Sequence, residues 1–210
     1  KSLIYELLPE VNGLPDRMQS RSMAAEITAR LNYMSGSSLE GMIYQHTNPT
    51  GIIRDTSVQK VVMNSLSDGI MREMIREPGG VEACVLLASE FYKAVQMVFK
   101  EDWVGHTPKT SRLVHGAGIQ ALGYVMETLA VMTGARSWAE FAPHLARLKG
   151  FTAWTSGSWD FGNGDVRHWK AVNVTGRDIM TLAQYLDRLV LENLNADARG
   201  KTRKLRASSA

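Results

Sequence analysis

Lys109, Thr110, Ser111, Arg112 and His115 gather two permanent cations, two hydroxyls and an imidazole within seven residues. Pro108 precedes them, and Thr110 or Ser111 is suited to cap a helix, so the spacing predicts a helix opening here. A helix N-terminus presents unpaired amides and the positive end of the helix dipole, which together suit a phosphate oxygen. The same residues also read as an ordinary cap whose Lys109 and Arg112 are merely solvated.

The next six residues, Gly116-Ala117-Gly118-Ile119-Gln120-Ala121, match the G-x-G-x-x-A pattern of dinucleotide-binding turns. That pattern works where a strand enters the glycines and an acidic residue follows about twenty positions on. Arg112 to His115 make a poor strand and Glu140 is better used as a helix cap, so close helix packing is the expected role. The five histidines and the single cysteine show no H-x-x-x-H or C-x-x-C pairing, and neither a nucleophile elbow nor a Walker loop occurs. No metal and no cofactor is therefore expected. Asp55 and Glu90 are lone carboxylates on amphipathic elements, where a solvated surface role is expected over a general base.

Cations cluster again at the end of the chain. Arg199, Lys201, Arg203, Lys204 and Arg206 lie in the last twelve residues without an acid among them, so the formal charge of +3 leaves −2 for the rest. Attraction to phosphate must then come from this basic tail, residues 196–210, or from a local patch. Arg167, His168 and Lys170 stand among Trp154, Trp159 and Trp169, a mixture that suits stacking of unpaired bases or, alternatively, a hydrophobic lid over the core.

The elements that position these groups follow from the hydrophobic spacing. Leu3 to Leu8 reads as a strand and Pro9, Gly13 and Pro15 as the loop after it. Met23, Ala24, Ile27 and Leu31 lie on one helical face. Leu39–Gln45 and Gly51–Arg54 predict a hairpin through Thr47, Asn48, Pro49 and Thr50. Thr56 and Gln59 resemble a capping box before the stripe Val58, Val61, Val62, Leu66, Ile70 and Met74. A further helix runs from Val81 to Phe99. Gly116, Gly118 and Gly123 weaken the next one by about 1 kcal/mol each relative to alanine, unless close packing uses them. Ser137 and Glu140 form another capping box, with Pro143 limiting its helix. Residues 151–173 predict a β-hairpin turning at Asn163-Gly164. A final helix runs from a Thr175 cap through Ile179, Leu182, Leu186 and Val190.

At 44% hydrophobic and 21% charged residues the composition is globular, which excludes wholesale disorder. Leu113–Gly134 is the longest apolar stretch, but His115, Gln120 and Glu127 interrupt it, so a buried helix is expected and not a membrane span. Cys84 stands alone, which excludes an internal disulfide and fits a reducing compartment such as the cytoplasm. The chain starts at Lys1 without targeting features, and is expected to be the C-terminal part of a longer protein.

A family resemblance adds to these readings. Leu8-Pro9-Glu10, Arg21-Ser22 leading to Leu31-Asn32, and Phe91-Tyr92-Lys93-Ala94-Val95 with Phe99 and Trp103 resemble proteins containing the DGQHR domain. Gly116-Ala117-Gly118-Ile119, Trp169 to Asn173, Leu182 and Tyr185-Leu186 extend the likeness over most of residues 3–190. The resemblance implies a fold related to ParB and sulfiredoxin at the N-terminal side and a place among bacterial DNA-modification systems. The Asp-Gly-Gln-His-Arg segment itself does not occur in residues 1–210, so it is expected upstream of Lys1, and none of its chemistry transfers to residues of this chain.

The expectation is thus an α+β fold of about six helices with a small antiparallel sheet, forming one domain over residues 1–195. Its expected role is an accessory or regulatory component of a prokaryotic DNA-modification or defence system, binding DNA or a partner protein and able to self-associate. The alternatives are a nucleotide-hydrolysing or DNA-nicking enzyme completed by an upstream segment, and a protein-interaction module.

Overall fold

The structure, a computed structural model, describes the backbone of residues 16–208 and the side-chain environments of residues 19–199. The strand expected at Leu3–Leu8 and the loop after it lie outside the described residues. Six longer helices form the body: α1 (Asp16–Tyr33), α2 (Asp55–Asp68), α4 (Gly80–Val98), α6 (Gly116–Thr133), α7 (Trp138–Ala146) and α8 (Gly176–Ser208). Two single turns, α3 (Met71–Met74) and α5 (Lys100–Trp103), complete the eight helices among the described residues. The architecture is α+β and mostly helical, as the periodicity predicts.

Helix α6 is the centre of the packing, because its sequence is apolar nearly all round. Ala117, Ile119, Ala121, Leu122, Val125, Met126 and Leu129 are all fully buried, and a helix without a polar face must be covered on every side. It lies against α2 and α8, while α1 packs on α2 and α4, and α4 on α7. Phe91 of α4 meets Phe141 of α7 edge-on at 5.2 Å between ring centroids; burying one such ring stabilises the fold by about 1.5–3 kcal/mol. Tyr92 is fully buried and donates its hydroxyl to the Ile119 carbonyl at 2.8 Å, tying α4 to α6. Loss of hydration pushes that phenol's pKa upward.

Close approach explains the glycines of α6. A Cβ on Gly123 would sit 2.8 Å from both Val61 methyls on α2, and a Cβ on Gly118 would sit 2.0 Å from the Arg112 carbonyl oxygen. Packing therefore offsets their intrinsic helix penalty, and the G-x-G-x-x-A segment has no strand in front of it. The dinucleotide reading is excluded by that context.

Three local expectations are corrected. Residues 39–54 do not form a hairpin: β1 (Ile43–Tyr44) and β2 (Ile53–Arg54) pair in parallel, Ile43 with Ile53 and Tyr44 with Arg54. Asn32 explains this choice. Its side chain accepts from the Ile43 amide at 3.0 Å and donates to the Gln45 side-chain oxygen at 2.9 Å, while Asn48 donates to the Gly41 and Ile43 carbonyls. These polar anchors fix the loop on α1, so the chain arches over it instead of folding back. Second, Thr56 does not cap α2, which starts one residue earlier at Asp55, and the Asp55 carboxylate accepts from the Thr56 amide at 2.6 Å. Third, the helix expected from Pro108 is a turn, closed by amides of Thr110 and Ser111 on the Thr107 carbonyl; α6 begins only at Gly116, with His115 as its N-cap.

The capping box of Ser137 and Glu140 forms as predicted, and its helix ends after nine residues with Pro143 inside. Glu90 is not idle surface, since its carboxylate accepts from the Trp138 amide at 2.7 Å at the same helix start. The hairpin of 151–173 forms from β3 (Ser158–Asp160) and β4 (Val166–His168), antiparallel, with Trp159 opposite Arg167. The small sheet is thus two separate pairs, one parallel and one antiparallel. Asn163 and Gly164 take φ of 52° and 81° in the turn, as an Asn-Gly pair readily does.

The hairpin covers the core as a lid. Trp154 and Trp159 are fully buried and meet edge-on at 4.9 Å, with Phe161 and Tyr185 continuing the cluster. These tryptophans are core and not a stacking platform. Thr175 accepts from the Asp178 amide at 3.1 Å at the start of α8, and the helix then continues through the basic residues to Ser208. The boundary expected at residue 196 is therefore not a change from helix to tail.

Candidate functional site

Three helix starts converge on one cleft of about 1480 Å³. The first turns of α2 contribute Ser57, Lys60 and Asn64, next to Arg54 and Tyr44 from the β1–β2 pair. The turn before α6 contributes Lys109 and Arg112, and α6 itself His115, Gln120 and Tyr124. Lys170, Gly176 and Ile179 close the third side at the start of α8. Among the described residues, five of those lining it are Arg or Lys and none is Asp or Glu. Helix dipoles and formal charges therefore add with the same sign.

Arg54, Lys60, Lys109 and Lys170 are exposed, and none of them forms an ion pair among the described residues. Arg112 differs. Only 9% exposed, it donates from Nη1 to the Pro108 carbonyl at 3.1 Å and from Nη2 to the Lys170 carbonyl at 2.8 Å, while its Nε has no partner. Burial pulls its pKa below the ordinary value. The guanidinium also lies 5.9 Å from the Trp169 ring centroid, but among the described residues no carboxylate pairs with it, which is an unfavourable state for a largely buried cation.

His115 caps α6 by accepting the Ala117 amide on Nδ1 at 3.4 Å, so its neutral form carries the proton on Nε2. Burial, then the charges of Arg112 and Arg54, lower its pKa to about 4. At neutral pH it is an uncharged donor in a cationic cleft, and a poor general base.

Of the five residues grouped by sequence, Lys109, Arg112 and His115 reach the cleft. Thr110 and Ser111 do not line it; the Thr110 hydroxyl accepts from the Thr107 amide at 2.9 Å and the Ser111 hydroxyl from the Leu113 amide at 3.1 Å. Lys170 joins the cleft from the hairpin side, its ammonium 5.0 Å from the Trp169 ring centroid. Arg167 points elsewhere, bridging Asp165 at 2.6 Å and Asp178 at 2.9 Å. Arg199 is exposed on α8; Lys201, Arg203, Lys204 and Arg206 continue that helix, and their side chains lie outside the described residues.

Sequence reasoning missed Arg54, Lys60, Gln120 and Tyr124. A signal existed for two of them: Gln120 and Tyr124 stand four residues apart, followed by Glu127 and Thr128, a narrow polar stripe down a mostly apolar helix. Among the described residues no three His, Cys, Asp or Glu side chains gather as a metal site, and no helix is long and apolar enough to cross a membrane. No protein-family model matches the chain, and no curated protein and no solved structure is significantly similar to it.

Proposed function

We propose that the protein is a nucleic-acid-binding accessory or regulatory component of a prokaryotic DNA-modification or defence system, and that its phosphate contacts lie in the cleft between the starts of α2, α6 and α8. The observation that carries this reading is the charge of the cleft: among the described residues five cations and no carboxylate line it, in a chain whose first 198 residues carry a net charge of −2. Segregating cations this way while the remainder is slightly acidic favours a polyanion over general surface solubility. The buried Arg112, which pairs with no carboxylate among the described residues, supports it independently. The resemblance to DGQHR-domain proteins supplies the biological setting, and the cations of α8 provide a second, separate contact region.

The test is a salt titration of oligonucleotide binding by fluorescence anisotropy. Lys60→Gln and Lys109→Gln are each expected to reduce the slope of log K against log salt by about 1. A chain ending after Arg199 keeps the cleft and Asp197, which pairs with Arg147 at 2.5 Å, so it reports the cleft without the later cations. Absence of binding at low salt by the intact chain overturns the reading.

A further inference from the structure

The cleft has a floor as well as a charged rim, and the floor is chemically different. Gln120 is only 7% exposed, lines the cleft, and forms no side-chain hydrogen bond with any described residue. Its amide nitrogen and oxygen open onto the cleft and are not sealed within the protein, so two donors and a carbonyl acceptor are free for a ligand there. Tyr124 stands one turn further along α6, and its hydroxyl accepts from the Asn64 side-chain amide at 3.0 Å. That leaves the Tyr124 proton and the Asn64 carbonyl oxygen available. Gln120, Tyr124 and Asn64 also line a second cavity, of about 950 Å³, which continues from the first on the side where Glu127 sits. The Oε1 atom of Glu127 is buried there without a partner.

We infer that the cleft seats an unpaired nucleotide, with its phosphate held at the rim by Lys60 and Lys109 beside Gly116 at the start of α6, and its base edge read on the floor by Gln120. This rests on the phosphate-binding reading above and names the ligand's chemistry. Gly116 and Gln120 are four residues apart, about 6 Å along the helix axis, a span comparable to that between phosphate and base in one nucleotide. A primary amide pairs in two-point fashion with a base edge that carries a donor beside an acceptor, and adenine is the best match. A base within a duplex is held by stacking and by its Watson–Crick pair, so it cannot leave the helix to enter a cleft this deep; an unpaired or extruded one can. Half-exposed Tyr44 at the mouth offers a ring face to a neighbouring base.

Anisotropy with labelled oligo-dA, oligo-dT and a duplex of equal length tests this, using the full chain and Gln120→Leu, which keeps the volume and removes the amide. Circular dichroism and thermal melts establish that the variant is folded. Expected is binding of oligo-dA about tenfold tighter than oligo-dT and tighter than duplex, with the dA preference lost in Gln120→Leu. Unlabelled dAMP distinguishes a free nucleotide, which then displaces the strand fully, from a nucleotide within a strand, which it does not displace. Equal binding of all three nucleic acids, or a base preference that Gln120→Leu leaves intact, overturns the inference. If binding is equal but still weakened by Lys60→Gln, the phosphate reading stands and only the base reading falls; if nothing binds, both fall.

Discussion

The guanidinium of Arg112 holds the Lys170 carbonyl at 2.8 Å, and this contact joins the turn before α6 to the short turn after the hairpin that supplies Lys170 to the cleft. The same side chain holds the Pro108 carbonyl at 3.1 Å, and its own amide donates to the Trp154 carbonyl at 2.7 Å. Arg112 thus assembles two walls of the cleft before any ligand arrives, and does so without a carboxylate.

Arg112→Met is expected to destabilise the fold by about 1–2 kcal/mol, because two part-buried carbonyls lose their donor. The denaturation midpoint should fall with an unchanged slope. Arg112→Lys should lose much of the same stability, since an ammonium cannot span two carbonyls as the planar fork does. Added inorganic phosphate should raise the melting temperature of the parent protein more than that of Arg112→Met, by linkage to binding.

The His115 pKa gives a pH dependence of definite sign. It lies near 4 in the folded chain against an ordinary 6.5, so between those values the unfolded chain binds more protons. Stability is then fully present above pH 6.5 and falls as the pH drops toward 4. His144, also lowered by burial, acts in the same direction. His115→Asn keeps an acceptor at the cap but does not titrate, so the acid limb of a stability profile should become shallower without vanishing. An unchanged profile would contradict the burial of this ring. In the parent protein, bound phosphate should raise the His115 pKa, read by NMR of the ring protons.

How much of this was legible in the sequence depends on the range over which each cause acts. The stripe from Val81 to Phe99, the Ser137–Glu140 box and the Asn163-Gly164 turn are local patterns, and each forms where it was expected. The parallel β1–β2 pair was not legible, because Asn32, eleven residues upstream of Ile43, decides it. Lys109, Arg112 and His115 were visible as a cluster, yet their turn geometry depends on Arg112 reaching a carbonyl 58 residues away. Arg54 and Lys60 look like routine surface cations until α6 and α8 bring their own starts beside them.

The two close-packed glycines of α6 should differ in severity. Gly123→Ala meets side-chain methyls of Val61 at 2.8 Å, whereas Gly118→Ala meets the Arg112 backbone carbonyl at 2.0 Å. A methyl can move and a carbonyl tied into the cleft wall cannot, so Gly118→Ala is expected to be the more destabilising, by about 3 kcal/mol against about 1–2 for Gly123→Ala. Combining Gly123→Ala with Val61→Ala should recover part of the loss by removing the opposing methyls. Chemical denaturation of the four proteins checks the order.

Arg167 separates a structural cation from a ligand-binding one. It pairs with Asp165 and Asp178, and Asp178 also accepts from the Asn173 amide at 2.9 Å. The side chain thereby pins β4 to the first turn of α8. With 20% of the Arg167 side chain and 14% of the Asp178 side chain exposed, the pair is partly shielded from solvent. Arg167→Gln is expected to lower stability by about 1–2 kcal/mol, more than a freely exposed ion pair contributes. It should leave the salt slope of oligonucleotide binding unaltered, because no phosphate contact is lost. A reduced slope with unaltered stability would instead make Arg167 part of the nucleic-acid surface and release Asp178 from its structural role.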